Sequence, residues 1–392
     1  MTATTIRSRA RRLVAAMAGT GALAGSLLLG PAPSAAPLAS DWTEIVHGRP
    51  SGQDTYLYDV WISGDDEAGE EEETWAVGMR RADVGGTTEF RTWAQRCLGG
   101  SCTATYPRDY ESPPFNTSNS LQSVSGTSSS DVWAVGYARI ESTTAATTHH
   151  FDGTTWTAVP NPVSSGALYG VSAIAVDDVW AVGAEGSFAP QAQVVLHWNG
   201  TAWSRVPFTV GGDCVPYDYL RDVAADGRRP VVIGECRVGA GPTESMIATY
   251  KNGRWVRQPV AGFDTDADLS AVAWVGRQAW VSGSTFVGGG DTLTARWRKG
   301  QGWAAVSTGG LDGNLRGIAG ASRRDVWAVG LSGCCYRLAL HWDGESWTPD
   351  DAGEFGFLES VATSASGIPW AVGQETAKSL IIRYDGPLAG TG

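Results

Sequence analysis

The chain has 392 residues, of which 41 are acidic and 29 basic, giving a formal net charge of −12 with 42% hydrophobic residues. An acidic surface repels phosphate backbones, which argues against a nucleic-acid partner. Beyond the first thirty or so residues no apolar run is long enough to cross a bilayer.

The N-terminus carries Arg7, Arg9, Arg11 and Arg12, then an apolar run from Leu13 to Leu29, then the small, Pro-rich stretch Pro31 to Ser40. This order is that of a secretory signal peptide, residues 1–39, with cleavage expected between Ser34 and Ala39. The Arg11-Arg12 pair matches a twin-arginine signal only weakly. The mature protein is thus expected to be secreted and extracellular. Of the 29 basic residues four leave with the leader, so 25 face 41 acids, a mature charge of −16. Six cysteines in an exported chain read as bridges, because no Cys-x-x-Cys pair suggests a metal cluster.

Trp42 to Val46 reads as a short strand with no neighbour in sequence, similar to Trp156-Thr157-Ala158-Val159 further on. The acids Asp65, Asp66, Glu67 and Glu70 to Glu73 read as a solvated loop tip. From here one pattern recurs. Asp131-Val132-Trp133-Ala134-Val135-Gly136 is repeated letter for letter at 178–183 and 325–330. Thr74 to Gly78, Ala279 to Gly283 and Pro369 to Gly373 keep its core, while Val231 to Gly234 lacks the tryptophan. A Leu-x-x-Val pattern precedes each copy, starting at Leu57, Leu121, Leu168, Leu220, Leu269, Leu315 and Leu358. Seven repeats of about 45 residues indicate a propeller or a solenoid.

The third repeat decides between them. Leu168 to Ala173, Val179 to Gly183, Val194 to Trp198 and Trp203 to Val206 are four short apolar runs. Asn199-Gly200 joins the last two in a hairpin turn whose central positions need positive φ. Four antiparallel strands form a propeller blade, so the expected fold is all-β: a seven-bladed β-propeller of four-stranded antiparallel blades, almost free of helix. The seventh repeat ends at Asp385-Gly386 without its fourth strand. Trp42 to Val46 is expected to join the last blade, closing the ring and removing two open sheet edges. Residues 41–386 are then one domain, followed by a short tail, 387–392.

Most of the 18 tryptophans recur at fixed repeat positions, which reads as filling between neighbouring blades; Trp61 and Trp274 do not recur, and Trp93 fits loosely. His150, His197 and His341 hold one repeat position in three blades, so they cannot converge on one metal ion. Asp131, Asp178 and Asp325 sit in the first hairpin of their blades and suit turn hydrogen bonds.

In a four-stranded meander the link from strand two to three and the link to the next blade share one face, where a ligand is expected. Cys214 and Cys236 both fall on that face within one blade and are expected to pair. Cys97 and Cys102 flank a hairpin tip and are expected to pair with each other. Cys334 and Cys335, adjacent in the chain, form a vicinal bridge or remain thiols. Asp264, Asp266 and Asp268 alternate as in the opening of a calcium loop, without its glycine or its final glutamate. No cofactor is expected, with calcium at these carboxylates as the alternative. Asn116-Thr117-Ser118 and Asn199-Gly200-Thr201 match glycosylation sequons, the second in a tight turn.

The residue after each first Leu is Tyr58, Gln122, Tyr169, Arg221, Ser270, Arg316 and Glu359, while the Val or Ile two positions later hardly changes. A position freed from the repeat rule, at the channel mouth, is where a binding site is expected. Tyr58, Gln122, Tyr169, Arg221, Arg316 and Glu359 are the candidate ligand contacts.

The Asp-Val-Trp-Ala-Val-Gly repeat with His-Trp-Asn/Asp-Gly-x-x-Trp resembles the repeats of secreted bacterial β-propellers grouped loosely with galactose oxidase and kelch-like proteins. It lacks the kelch double glycine, the Gly-His and Trp-Asp pair of WD repeats and the sialidase box, so the resemblance implies architecture and carries no functional residue. Two classes of function follow. The first is a monomeric extracellular binding or scaffold module for a cell-surface glycan or protein. The second is an enzyme, either a glycan hydrolase using carboxylates such as Glu235 and Glu359 or a copper oxidase, for which only His47 lies near the loop-rich face. The C-terminal Leu388-Ala389-Gly390-Thr391-Gly392 is similar to a sortase signal without its apolar and basic tail.

Overall fold

The computed structural model describes residues 40–387 except 51, 64–71, 110–116, 187–190, 212–213, 228, 239–242, 263–266 and 286–289. The leader, most of the acidic run, Asn116 and the tail beyond Pro387 lie outside the described residues. Among the described residues regular structure is entirely β.

The third repeat is a four-stranded antiparallel meander of Gly166–Ala175, Asp178–Glu185, Ala192–Trp198 and Trp203–Arg205. The fourth and sixth repeats have the same topology. The fifth gains a short strand, Val260–Ala261, parallel to Gly302–Val306. Strands of the first two repeats merge into one eight-stranded sheet through a single parallel pair, Phe90 with Ser118. The seventh contributes Phe357–Thr363, Pro369–Glu375 and Lys378–Tyr384, and its fourth strand is Trp42–Glu44, with Trp42 opposite Tyr384. The protein is a β-propeller of four-stranded antiparallel blades.

Two features of the repeat set this geometry. In every repeat the first strand slips register immediately after its leucine, between Leu57 and Asp59 in the first and between Leu315 and Gly317 in the sixth. A leucine and a valine three apart cannot both face the core on an unbroken strand of period two; the extra residue is absorbed as a β-bulge. The glycine that ends the repeated hexapeptide lies opposite the bulge. A Cβ on Gly330 would sit against the Asn314 carbonyl oxygen, far inside van der Waals contact, and Gly136 and Gly283 meet the same obstacle.

The tryptophans join neighbouring sheets. The second-strand indole of one repeat stands edge-on to the outer-strand indole of the next: Trp75 on Trp156 at 5.4 Å, Trp133 on Trp203 at 5.2 Å, Trp280 on Trp347 at 5.6 Å and Trp327 on Trp42 at 5.4 Å. Such pairs contribute about 0.5–1.5 kcal/mol beyond the area they bury. In the fourth repeat Val231 takes this place and packs in one cluster with Trp303.

Asp131 accepts from the Thr127 hydroxyl across the first hairpin, as expected, but the three aspartates share a second role. Each accepts a hydrogen bond from a histidine Nε2, of His150 at 2.7 Å, His197 at 2.9 Å and His341 at 2.9 Å. Asp178 and Asp325 also accept from the indoles of Trp180 and Trp327. The imidazoles lie against those same tryptophans, His341 stacked on Trp327 at 4.2 Å. Glu73, expected on a solvated tip, is instead 3% exposed and binds Arg96 at 2.7 Å. It holds the repeat's acid position, two before Trp75, and burial there requires a cationic partner.

A candidate binding site on the channel axis

The bulges aim seven side chains at one place. Tyr58, Gln122, Tyr169, Arg221, Ser270, Arg316 and Glu359, the residues that drop out of the ladder register, all line a single cavity of about 610 Å³. A bulged residue has no cross-strand partner, so its side chain is free to differ without disturbing the sheet.

Two charged clusters occupy the lining. The Arg316 guanidinium binds Glu359 at 2.7 Å and lies over the Phe357 ring. Burial pushes the Glu359 carboxyl above its ordinary range, and Arg316 opposes that shift. Arg221 faces Asp268 at 3.2 Å and Glu235 at 3.8 Å, and donates to the Tyr219 hydroxyl at 2.9 Å. Tyr169 and Tyr219 pack ring to ring at 5.0 Å. Burial, with Tyr137 and Glu359 nearby, raises the Tyr58 phenol well above its usual value. Gln122 donates to the Ser120 hydroxyl at 2.7 Å.

One step further along each first strand lies a tier that sequence reasoning missed. Asp59 receives four hydrogen bonds: from the hydroxyls of Ser360 and Ser123 and from the amides of Val60 and Val124. It thereby links the first repeat to the second and the seventh. Among the described residues Asp222 receives two, from the amides of Val223 at 2.7 Å and Val272 at 2.9 Å. Burial pushes the Asp222 carboxyl up to about 7, and the charge of Asp59 adds to the shift. The internal comparison held the signal: this position reads Asp59, Ser123, Gly170, Asp222, Ala271, Gly317, Ser360, two acids among small residues. Gly170 belongs to the arrangement, since a Cβ there would come within 2.9 Å of the Asp222 carboxylate.

No family model matches the sequence, and no curated protein matches it. Solved structures do share the fold. YCF48 from Cyanidioschyzon merolae is 15% identical over 88% of this chain and 99% of its own, with a TM-score of 0.55. A structure of YCF48 bound to a D1 peptide is 14% identical over 88% and 94%, with a TM-score of 0.53. At such identity the likeness is one of fold.

Glu235 and Glu359 are held by different arginines, and Glu235 is not among the residues lining the cavity. Asp268 faces Arg221, while Asp264 and Asp266 lie outside the described residues. Among the described residues no three His, Cys, Asp or Glu side chains form a group able to hold a metal ion. His47 is 6% exposed and has both ring nitrogens engaged, by the Ile45 carbonyl and the Ser379 hydroxyl. Cys97 and Cys102 are bridged. Cys236 is disulfide-bonded, and the side chain of Cys214 lies outside the described residues. Cys334 and Cys335 are thiols with their sulfurs 2.9 Å apart. The Asn199 side chain closes its own turn by accepting from the amides of Thr201 and Ala202.

Proposed function

We propose that this chain is an exported, seven-bladed, closed-ring propeller that acts as a binding module, taking a protein or peptide segment at the mouth of the axial cavity. The observation that carries the reading is the convergence of the seven bulge residues on one cavity. Their side chains have no cross-strand partner, so they are free to be chosen for a ligand. The mouth offers guanidinium, carboxylate, phenol and amide groups, a set suited to a peptide's charged side chains and backbone. A propeller of similar fold has been solved with a peptide bound. Tyr336 and Phe355, which bridge each other in the link regions of the sixth repeat, are 55% and 52% exposed and extend an aromatic surface for a protein partner.

A glycan is the second reading, favoured by the Tyr169–Tyr219 pair, whose rings present a stacking surface. Hydrolysis is disfavoured by the state of the carboxylates: Asp59 has its oxygens filled by four donors, and Glu359 is tied to Arg316.

The test is a peptide-array and glycan-array screen of the mature protein, with calcium and with chelator, beside the Tyr169→Ala/Arg221→Ala double variant. Binding in the wild type that weakens at least tenfold in a variant with unchanged circular dichroism is the expected result. Undiminished binding in the variant would remove the channel mouth as the site. A hit confined to glycans would select the second reading.

A further inference from the structure

A second cavity, of about 400 Å³, lies between the fifth and sixth repeats, lined by Gln278, Arg296, Arg298, Arg323 and Arg324 with Gly344. Arg323 and Arg324 belong to the turn between the first and second strands, and Gly344 to the outer hairpin turn. In an antiparallel meander both turns are at the end opposite the links that surround the channel mouth.

The repeat pattern explains why this place is unusual. In four repeats the residue two before the tryptophan is an acid that holds a basic side chain on the third strand: Glu73 with Arg96, Asp131 with His150, Asp178 with His197 and Asp325 with His341. In the fifth repeat the acid has become Gln278, yet the basic residue stays as Arg296, opposite Trp280 in the ladder. Two indoles hold Arg296 in place of a carboxylate, Trp280 at 4.9 Å and Trp342 at 5.1 Å. Among the described residues the buried Gln278 Oε1 has no donor and the buried Arg298 Nε no acceptor. The sixth repeat then places Arg323-Arg324 where the second has Ser129-Ser130 and the third Val176-Asp177. Among the described residues none of these four arginines is ion-paired with a carboxylate, although acids outnumber bases by 12 in the chain.

We propose that this cavity is an anion site for a small polyvalent oxyanion, one carrying phosphoryl or sulfuryl groups. Guanidinium forks match tetrahedral oxyanions in bidentate fashion. Four like charges gathered without acids repel one another, and a ligand bearing several negative charges relieves that repulsion where a single carboxylate does so only in part. The cavity holds the volume of about a dozen waters at ~30 Å³ each, room for more than one charged group.

The experiment is titration of the mature protein with inorganic pyrophosphate, followed by calorimetry and by thermal unfolding, with sodium chloride holding ionic strength constant. Saturable binding and a rise in Tm are expected, with sulfate weaker. Long-chain polyphosphate is a further arm: tighter binding per chain end than pyrophosphate would assign a polymer as the source of the anion. Three variants report on the site. Gln278→Asp restores the acid found in the sibling repeats, so it should fold at least as stably as the wild type while binding pyrophosphate at least tenfold more weakly. Arg298→Ala and Arg323→Ser/Arg324→Ser should weaken binding to a similar degree. Tyr169→Ala/Arg221→Ala, at the channel mouth, should leave it unchanged. Stabilisation no greater than that from sodium chloride, or wild-type affinity in Gln278→Asp, would overturn the proposal.

Discussion

Gly330→Ala is expected to destabilise the protein by more than about 4 kcal/mol, a loss reserved for changes the core cannot absorb. The reason is not conformational freedom. The glycine stands where the second strand passes over the bulge of the first, and the added methyl would meet the Asn314 carbonyl oxygen and, at 2.9 Å, the Leu315 Cα. Both obstacles are backbone, so no rotamer change relieves them, and the flanking Ala328 and Val329 are fully buried. The strands must part or the bulge must be lost; a lost bulge flips every later side chain of the first strand to the wrong face. Gly309→Ala is the control: φ is +84° and nothing lies within 4 Å of its Cβ, so a cost of only about 1 kcal/mol is expected. Urea unfolding of both variants checks the contrast, and equal shifts in midpoint would refute the steric account.

The second large effect depends on pH. The folded Asp222 carboxyl titrates at about 7, against an ordinary value of 3.8. Between those values the folded chain keeps a proton that the unfolded chain has released. Stability therefore falls as pH rises from about 4 to about 7 and is level above that. At about 1.4 kcal/mol per pH unit the loss is on the order of 4 kcal/mol. Asp222→Asn cannot ionise, and its single acceptor oxygen leaves one of the two backbone donors poorly served, at about 1 kcal/mol. The variant should be slightly less stable than the wild type at pH 4.5 and about 2–3 kcal/mol more stable at pH 8, after the lost hydrogen bond is set against the relieved charge. Denaturant unfolding at both pH values, read as a difference between the two proteins, cancels the other titrating groups; a difference independent of pH would refute the assignment. Asp59→Asn should cost more at low pH, because its two oxygens serve four donors across three repeats; burial raises the Asp59 carboxyl as well, so that loss should narrow as pH rises.

The meander, the hairpin turns and the role of the tryptophans were legible because each is written several times over, and a rule repeated in independent copies separates packing from chance. The pairing of Trp42–Glu44 with the last strand followed from counting: one repeat lacked a strand and one strand lacked a repeat. The bulge was also written in the sequence, in a Leu-x-x-Val spacing that no regular strand tolerates, but the spacing is informative only once the strand is seen to hold both residues at one buried face. Asp59 and Asp222 escaped because their meaning is collective. Each belongs to a different repeat, and only the packing of the sheets against one another brings their charges within reach of each other. Glu73 was misread because its acidic neighbours in sequence resemble a solvated run, while its position relative to Trp75 is that of a buried partner.

The strand Trp42–Glu44 pairs with Lys378–Tyr384, at the other end of the domain. As the chain is synthesised, the first strand of the domain emerges at the start and its hydrogen-bonding partner only at the end. At about 5–20 residues per second that interval is roughly 20–70 s. Until the last repeats have been made the Trp42–Glu44 strand has neither its partner strand nor the Trp327 ring that its indole packs on, so the nascent chain cannot complete its fold while it is being made. The same pairing that removes two sheet edges from the finished protein therefore keeps the unfinished one open for the whole time of its own translation.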